Sequence, residues 1–307
     1  MAEADKWSRW LAETRFGGDQ KAAEVQMRGL TVIRDLLLKK GGLGEGKIVL
    51  DVGAGEGMMG FGALERVGET GRVIFSDISE ALVEFTRQAA KQMGAQDRCS
   101  FIEAGAEDLS AIESESVDLV TTRSVLIYVD DKPRAFREFY RVLKPGGRTA
   151  LFEPIDDRRM TEFSNYWRMR AWHDPDSPET APIKDLLDRW WEYWQSSNVN
   201  EAMTNFNERD LMQMCIEAGF AGVHVELYLN AGPMPPIKWE TMMNSSGNPL
   251  IPTNGDVLRQ IFNSVEQARF EQHLRPIVER GGRLWRTQGS FTWAFKAPIP
   301  EKPFPDE

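Results

Sequence analysis

The sequence is poor in the features that build disulfide scaffolds, zinc sites and membrane spans. Its 307 residues include only two cysteines, Cys99 and Cys215, and three histidines. Two cysteines so far apart argue against a disulfide framework and against a cysteine-rich zinc site. No apolar run approaches the roughly 20 residues that cross a bilayer, and the first residues lack the apolar segment of a signal peptide. These absences favour a cytoplasmic protein without a membrane partner.

Basic residues are also in the minority. The chain carries 37 lysines and arginines against 47 aspartates and glutamates, which gives a formal net charge of −10. A protein that holds nucleic acid by its phosphates normally has a basic face, so nucleic acid is not an expected partner. Hydrophobic residues make up 41% of the chain and charged residues 27%. These values are typical of a soluble globular protein, and the length fits one large domain or one domain with an insertion.

The most informative segment runs from Ile48 to Gly57, with the sequence Ile-Val-Leu-Asp-Val-Gly-Ala-Gly-Glu-Gly. Its apolar first half predicts a buried strand, and a helical segment starts at Met58. Glycine at every second position of the turn between them indicates backbone with φ > 0, or the close approach of a ligand. A strand, a glycine-rich turn and a helix in this order are typical of a nucleotide-cofactor site, where the amides of the turn face the ligand.

Strands and helices alternate after this turn. Apolar runs predict strands over 48–52, 72–76, 99–102, 117–121 and 148–153, with helices over about 79–93 and 132–143. This alternation implies an α/β fold with a parallel sheet covered on both faces. The rest of the chain predicts a helix over 207–219, strands over 223–229 and 290–297, a loop over 230–256 and one helix over about 257–279.

Four blocks then occur in order: Asp51-x-Gly53-x-Gly55-x-Gly57, the acid Asp77 after the second strand, the fourth strand with its loop (116–130), and Arg141-Val-Leu-Lys-Pro-Gly-Gly147. Together they resemble the class I S-adenosylmethionine (SAM) dependent methyltransferases, and within them the small-molecule, UbiE-like (type 11) branch. The resemblance covers about residues 45–155. It implies a Rossmann-like fold whose seven-stranded, mostly parallel sheet has helices on both faces and an antiparallel last strand. It also implies SAM as the cofactor.

The resemblance further implies which residues hold the cofactor. Asp77 would bind the ribose hydroxyls, although its position also suits a helix cap, and Asp51 would fix the turn and favour the ammonium group. Gly105 stands where the family often has the acid that meets adenine, so this contact would fall to amides near Ala106 or to Glu107. The full predicted set is Asp51, Gly53, Ala54, Gly55, Gly57, Asp77, Ile78, Ala106, Glu107 and Arg123.

The composition becomes aromatic after residue 156, and five of the ten tryptophans fall between positions 167 and 194. Three interpretations are open: a helical cap that encloses the acceptor, a dimer contact, or plain core. With a cap, the residues nearest the substrate would be Tyr166, Trp167 and Trp172. Tyr128 would approach from the opposite side, and His173 is a candidate base.

The predicted organisation has five parts. Residues 1–44 form helices that cover the cofactor site, 45–155 form the SAM-binding core, and 156–204 form the aromatic cap. Residues 205–297 complete the sheet and contain a helical insertion over 230–282. Residues 298–307 form an irregular tail.

These features predict transfer of a methyl group to a small, partly apolar molecule, at oxygen, nitrogen or carbon. No metal is expected, because Thr122-Arg123-Ser124 stands where catechol-type enzymes place a metal-binding carboxylate. Two alternatives are open. Gly55-x-Gly57-x-x-Gly60 also fits the fingerprint of an NAD(P)-dependent oxidoreductase, and the fold could serve as a non-catalytic scaffold. A homodimer is a further partner left open.

Overall fold

A computed structural model describes residues 4–155, 177–196, 201–282 and 284–298, and shows a seven-stranded sheet. The strand order is β3-β2-β1-β4-β5-β7-β6. All neighbours pair in parallel except β7, which is antiparallel to both β5 and β6. The predicted fold class is thereby confirmed. The strands are β1 Ile48–Val52, β2 Arg72–Asp77, β3 Cys99–Glu103, β4 Val117–Arg123, β5 Leu143–Pro154, β6 Ala221–Pro233 and β7 Leu284–Phe295.

Helices cover both faces of this sheet, and a further group of helices packs around a core of its own. A short N-terminal helix, α1, continues directly into a π-helical turn over Trp10–Thr14. The helices are α1 Lys6–Arg9, α2 Gln20–Lys40, α3 Met58–Leu64, α4 Glu80–Gln92, α5 Lys132–Val142, α6 Lys184–Ser196, α7 Glu201–Thr204, α8 Glu208–Ala218, α9 Trp239–Asn244, α10 Asn254–Ile261 and α11 Ser264–Arg280. Within the described ranges, none of these helices is long and apolar enough to cross a bilayer.

The sheet has an apolar core on each face because successive side chains of a strand point to opposite sides. Val49 and Leu119 pack on one face with Leu37 of α2 and Ala63 of α3. The other core lies between the sheet and helices α5 and α8, and includes Leu50, Val120, Leu151, Phe136, Phe139 and Leu211. Helices thus cover both faces of the sheet. Because strands β1 to β5 are parallel, they all end at the same edge of the sheet, the carboxyl edge.

The connection from β6 to β7 differs from its prediction. Pairing between these strands reaches Pro233–Leu284, whereas β5 stops at Pro154, opposite Gly289. The two strands thus extend five residue pairs past β5, roughly 17 Å at about 3.4 Å per residue. The prediction of a loop over 230–256 is wrong for the end of β6 and for the helix Trp239–Asn244. The prolines, glycines and asparagines of this segment predict a loop, because these residues are uncommon in strands. The strands continue there because β6 and β7 pair with each other.

The predicted single helix over 257–279 is two helices. Thr253 and Asn263 each form a capping box, so α10 ends at Ile261 and a new helix starts at Ser264. The two helices pack with α6 and α9 around a third apolar core, in which Trp190 lies 5.5 Å from Phe270. Trp190 is only 2% exposed. For this tryptophan the plain-core interpretation is therefore correct.

Candidate active site

Acidic residues collect at the carboxyl edge of the sheet. Asp51 lies at the end of β1, Asp77 at the end of β2 and Glu153 near the end of β5, and all three are buried. Arg123 ends β4, between β1 and β5 in the sheet. In open α/β sheets ligands bind outside this edge, where the strand order reverses. The order reverses here between β1 and β4, so this edge is the candidate site.

The glycine turn after β1 has a backbone that other residues would strain. Gly53, Gly55 and Gly57 have φ values of +65°, +57° and +81°. A Cβ on Gly53 would lie 2.4 Å from Val125 Cγ2, and one on Gly57 would lie 2.4 Å from Phe61 Cε2. Both positions thus require glycine for two reasons, the backbone conformation and the absence of space.

Asp77 fastens this turn to the end of β2. Its Oδ2 accepts a hydrogen bond of 2.9 Å from the Gly55 amide, and Oδ1 accepts one of 3.0 Å from the Ser79 amide. The N-cap of α4 is Ser79, whose hydroxyl accepts from the Leu82 amide. Burial raises the pKa of Asp77, and this effect is larger than the opposite effect of the two hydrogen bonds. The helix-cap role considered for Asp77 therefore belongs to Ser79.

Asp51 holds the helix that follows the turn. Its carboxylate is 1% exposed and accepts a hydrogen bond of 2.8 Å from the Gly60 amide in α3. Burial raises the pKa of Asp51 to about 7, and the negative charge of Asp77 adds to this rise. The charge of Arg123 acts in the opposite direction. A cationic ligand group at this position would restore the ionised form.

Glu153 is a buried acid that the sequence analysis did not select. It is fully buried, and its two oxygens accept hydrogen bonds from the amides of Val125 at 3.0 Å and Ile127 at 3.4 Å. Burial raises the pKa of Glu153 to about 7. Arg123 donates to the Ser124 hydroxyl at 3.2 Å, and burial lowers the pKa of its guanidinium. The sequence feature that could have indicated Glu153 is its place as an acidic residue at the end of an apolar strand, which it shares with Asp51 and Asp77.

The N-terminal segment lies across the site. Trp7 packs edge-on against Tyr128 with ring centroids 4.9 Å apart. Leu11 Cδ1 lies 3.5 Å from the position that a Cβ on Gly55 would take, and Arg15 pairs with Glu56 at 3.7 Å. Burial and the charge of Arg123 lower the pKa of Arg15 to about 10. The sequence had not indicated Trp7 or Arg15 as site residues, because the contacts that bring them to the site, with Tyr128 and Glu56, are with residues more than 40 positions away.

The other end of the site lies beyond β2 and β3. Ile78 is 55% exposed, and its Cγ2 lies 3.0 Å from where a Cβ on Gly105 would be. Ala106 is buried beside them. Glu107 accepts a hydrogen bond of 2.7 Å from the Asp131 amide. Ile78 and Gly105 therefore form an apolar surface at this end of the site, and one oxygen of Glu107 is already in use.

Four predicted acceptor-side residues, Tyr166, Trp167, Trp172 and His173, lie outside the described residues. Tyr128 is described and ends a short 3-10 turn after β4. His224 stacks on Trp293 within the sheet, and His273 is half-buried on α11. Over the ranges that the structure describes, no group of three or more His, Cys, Asp or Glu side chains is placed to hold a metal ion.

Comparison with known proteins agrees with this geometry. Residues 43–205, more than half of the chain, match a family described as a methyltransferase domain. The ubiquinone/menaquinone biosynthesis C-methyltransferase UbiE of Escherichia coli is 36% identical over 112 residues, which are 36% of this chain and 44% of that protein. The chain thus matches less than half the length of this curated relative.

Two solved structures share the fold. The YcgJ protein of Bacillus subtilis aligns with a TM-score of 0.54 and 17% identity, over 86% of this chain and 97% of that one. A putative methyltransferase of Bacillus halodurans aligns with a TM-score of 0.50 and 16% identity, over 86% of this chain and 98% of that one. The chain belongs to the class I SAM-dependent methyltransferases, and SAM is the cofactor of that class.

Proposed function

We propose that the protein transfers the methyl group of SAM to a small, partly apolar molecule without the help of a metal ion. The observation that carries this proposal is the contact of Asp77 with the Gly55 amide at 2.9 Å, which joins the proposed ribose-binding acid to the glycine turn. An oxidoreductase of the NAD(P) class and a silent scaffold were the alternatives. The family match supports neither.

The residues of the carboxyl edge fit SAM. The turn residues Gly53, Ala54, Gly55 and Gly57 carry small side chains or none, so a ligand can approach their backbone closely. We assign Asp77 to the ribose hydroxyls, which give strong charge-assisted hydrogen bonds to a carboxylate. We assign Asp51 and Arg123 to the amino-acid end of the cofactor, where an ammonium and a carboxylate need partners. Ile78, Ala106 and Glu107 line the slot proposed for adenine.

SAM supplies a methyl group on a sulfonium, which is already a good leaving group. The chain's own task is then to position the two reactants and to exclude water. The N-terminal residues proposed to cover the site support this role, since Trp7 reaches Tyr128 and Leu11 lies over Gly55. A base is needed only for an acceptor that must lose a proton, and His173 remains the proposed candidate.

The acceptor is proposed to be small and partly apolar for three reasons. The edge is covered by aromatic and aliphatic side chains, the chain is acidic overall, and the similar E. coli protein is named as a quinone-biosynthesis C-methyltransferase. Tyr128, Tyr166, Trp167 and Trp172 are the proposed acceptor contacts. We also propose that the protein is cytoplasmic. Whether it forms a homodimer is left open.

Calorimetry with SAM, S-adenosylhomocysteine and NAD(H) tests the class of cofactor. We expect micromolar affinity for the first two, about −8 kcal/mol. A metabolite pool incubated with methyl-deuterated SAM and analysed by mass spectrometry would then identify the acceptor. Binding of NAD(H) without binding of SAM would overturn the proposal.

A further inference from the structure

The loop between β4 and α5, residues 124–131, is held by two buried charged side chains from outside it. Glu153 accepts the amides of Val125 and Ile127 at one end. At the other end Lys132, 3% exposed, donates to the carbonyl of Val129 at 2.9 Å and to that of Ala202 at 2.7 Å. The loop carries Tyr128 and follows directly on Arg123, so its position fixes both.

The first residue of this loop has a conformation that needs external support. Ser124 has a φ of +57°, in the left-handed region that a residue with a side chain rarely adopts. Its amide donates to the carbonyl of Phe152, the residue before Glu153, at 2.9 Å. The Glu153 carboxylate then accepts the next amide, that of Val125. The end of β5 therefore determines the path of the chain where it leaves β4.

Val125 transmits this position to the glycine turn. Its Cγ2 occupies the space in which a Cβ on Gly53 would stand, 2.4 Å away. A shift of the Val125 backbone would thus press on Gly53 or release it. Glu153 itself is shielded from solvent and binds amides of the loop, so its route to the cofactor runs through Val125.

We propose that Glu153 is a positioning residue that sets the affinity for SAM by holding Val125 against Gly53. If Glu153 served only to stabilise the fold, a cation beside it or an apolar residue in its place would be expected. Within the described part of the chain no cation lies within 4 Å of Glu153, and apolar residues often stabilise a core better than a buried charge. The inference rests on the proposed function only in taking the glycine turn as the site of SAM.

The test is a thermodynamic cycle with S-adenosylhomocysteine as the probe. The Glu153→Ala variant should raise its Kd about tenfold (~1.4 kcal/mol), because two amides lose their acceptor. Glu153→Gln keeps one acceptor oxygen and should stay within about threefold. Val125→Ala should also raise the Kd. The double variant should raise it by clearly less than the product of the single effects, because the two residues act in series.

Asp118→Ala is the matched control. Asp118 is also a carboxylate that accepts a backbone amide, that of Ile48 at 2.9 Å, but it lies at the start of β4, on the far edge of the sheet. This variant should lower the melting temperature and leave the Kd within twofold. A role of Glu153 in stability alone predicts the same behaviour for Glu153→Ala.

Each outcome decides the question. A folded Glu153→Ala variant with a Kd within twofold of the wild type would overturn the inference, as would multiplicative effects of the two single variants. If Glu153→Ala does not fold, Glu153→Asp takes its place in the cycle, because its shorter side chain no longer reaches both amides. An unchanged Kd together with unchanged hydrogen exchange of residues 124–128 in that variant would overturn the inference. A wild-type protein that does not bind the probe would instead refute the proposed function.

Discussion

The two edges of the sheet use carboxylates in opposite ways. At the carboxyl edge, Asp51, Asp77 and Glu153 are buried and accept backbone amides, and burial raises the pKa of each. At the amino edge, Asp118 pairs with Lys144 at 2.8 Å and Lys47 at 3.3 Å. Burial alone would raise the pKa of Asp118, but these lysines and the Ile48 amide lower it overall.

The difference separates stability from binding. Asp118 has its partners within the chain, so the amino edge is complete as it stands. Among the described residues, the acids of the carboxyl edge have no cation within 4 Å, so burial works against their charge. Such an arrangement costs stability, and at Asp51 and Asp77 it leaves a place for ligand groups that carry positive charge or donate hydrogen bonds.

The largest expected effect comes from a methyl group at the carboxyl edge. Gly53→Ala combines a φ of +65° with a clash against Val125, and we expect it to weaken binding of S-adenosylhomocysteine more than about 100-fold (~2.7 kcal/mol). Gly146→Ala is the control at the amino edge. Gly146 has a φ of +79°, but its nearest neighbour is 3.9 Å away. This variant should lose about 1–2 kcal/mol of stability and bind normally. Equal affinity loss in both would contradict the contrast.

Asp77→Ala should have the next largest effect. It removes the proposed ribose partner and leaves the Gly55 amide without its acceptor, so we expect about 1.5–3 kcal/mol of lost affinity for SAM and S-adenosylhomocysteine. Calorimetry measures the loss, and Asp118→Ala again serves as the control, with lower stability and unchanged affinity. If Asp77→Ala binds both ligands within about threefold of the wild type, Asp77 does not bind the ribose.

The pH dependence of stability should have opposite signs at the two edges. Folding raises the pKa of Asp51 to about 7, above the ordinary value near 4. The native state then holds a proton that the unfolded state releases, so this group makes the protein less stable as pH rises from about 4 to 7. The lowered pKa of Asp118 gives stability that is lost as pH falls through the acid range.

Urea denaturation of the cofactor-free protein between pH 3 and 8 would measure these signs. Relative to the wild type, Asp51→Asn should become more stable by up to about 1.4 kcal/mol for each unit of pH between about 4 and 7. Asp118→Asn should become relatively less stable as pH rises through the acid range, and its deficit should stay constant above about pH 4. A constant stability difference between Asp51→Asn and the wild type across this window would contradict the raised pKa.

The sheet could be predicted because its strands are local patterns. The run from Ile48 to Val52 is apolar and ends at a glycine, and Asp77 with Ser79 marks the end of β2 and the start of α4. These patterns depend only on neighbours in sequence. The antiparallel last strand followed from family resemblance, not from periodicity.

The rest depends on contacts between distant segments. The packing of Trp190 on Phe270 joins positions 80 residues apart, and no periodicity in either segment indicates it. Glu153 could be seen as an acid at a strand end, but its partners are amides of a loop that follows a different strand. Backbone amides leave no trace in the sequence, so its role required the structure.

The smallest expected effect is that of removing metal ions. Several carboxylates at one edge could suggest a cation site, but both oxygens of Asp77 accept amides, and so do those of Glu153. One lone pair of each oxygen is used in this way, so Asp77 can still accept the ribose hydroxyls. A metal ion needs several such oxygens directed at one point, and no group of three or more is placed so among the described residues. Thr122-Arg123-Ser124 supplies hydroxyls and a positive charge beside them. We therefore expect EDTA to leave the Kd for S-adenosylhomocysteine within experimental error, and methyl transfer unchanged once an acceptor is known. A tenfold loss that Mg²⁺ restores would show that the carboxyl edge holds a metal after all.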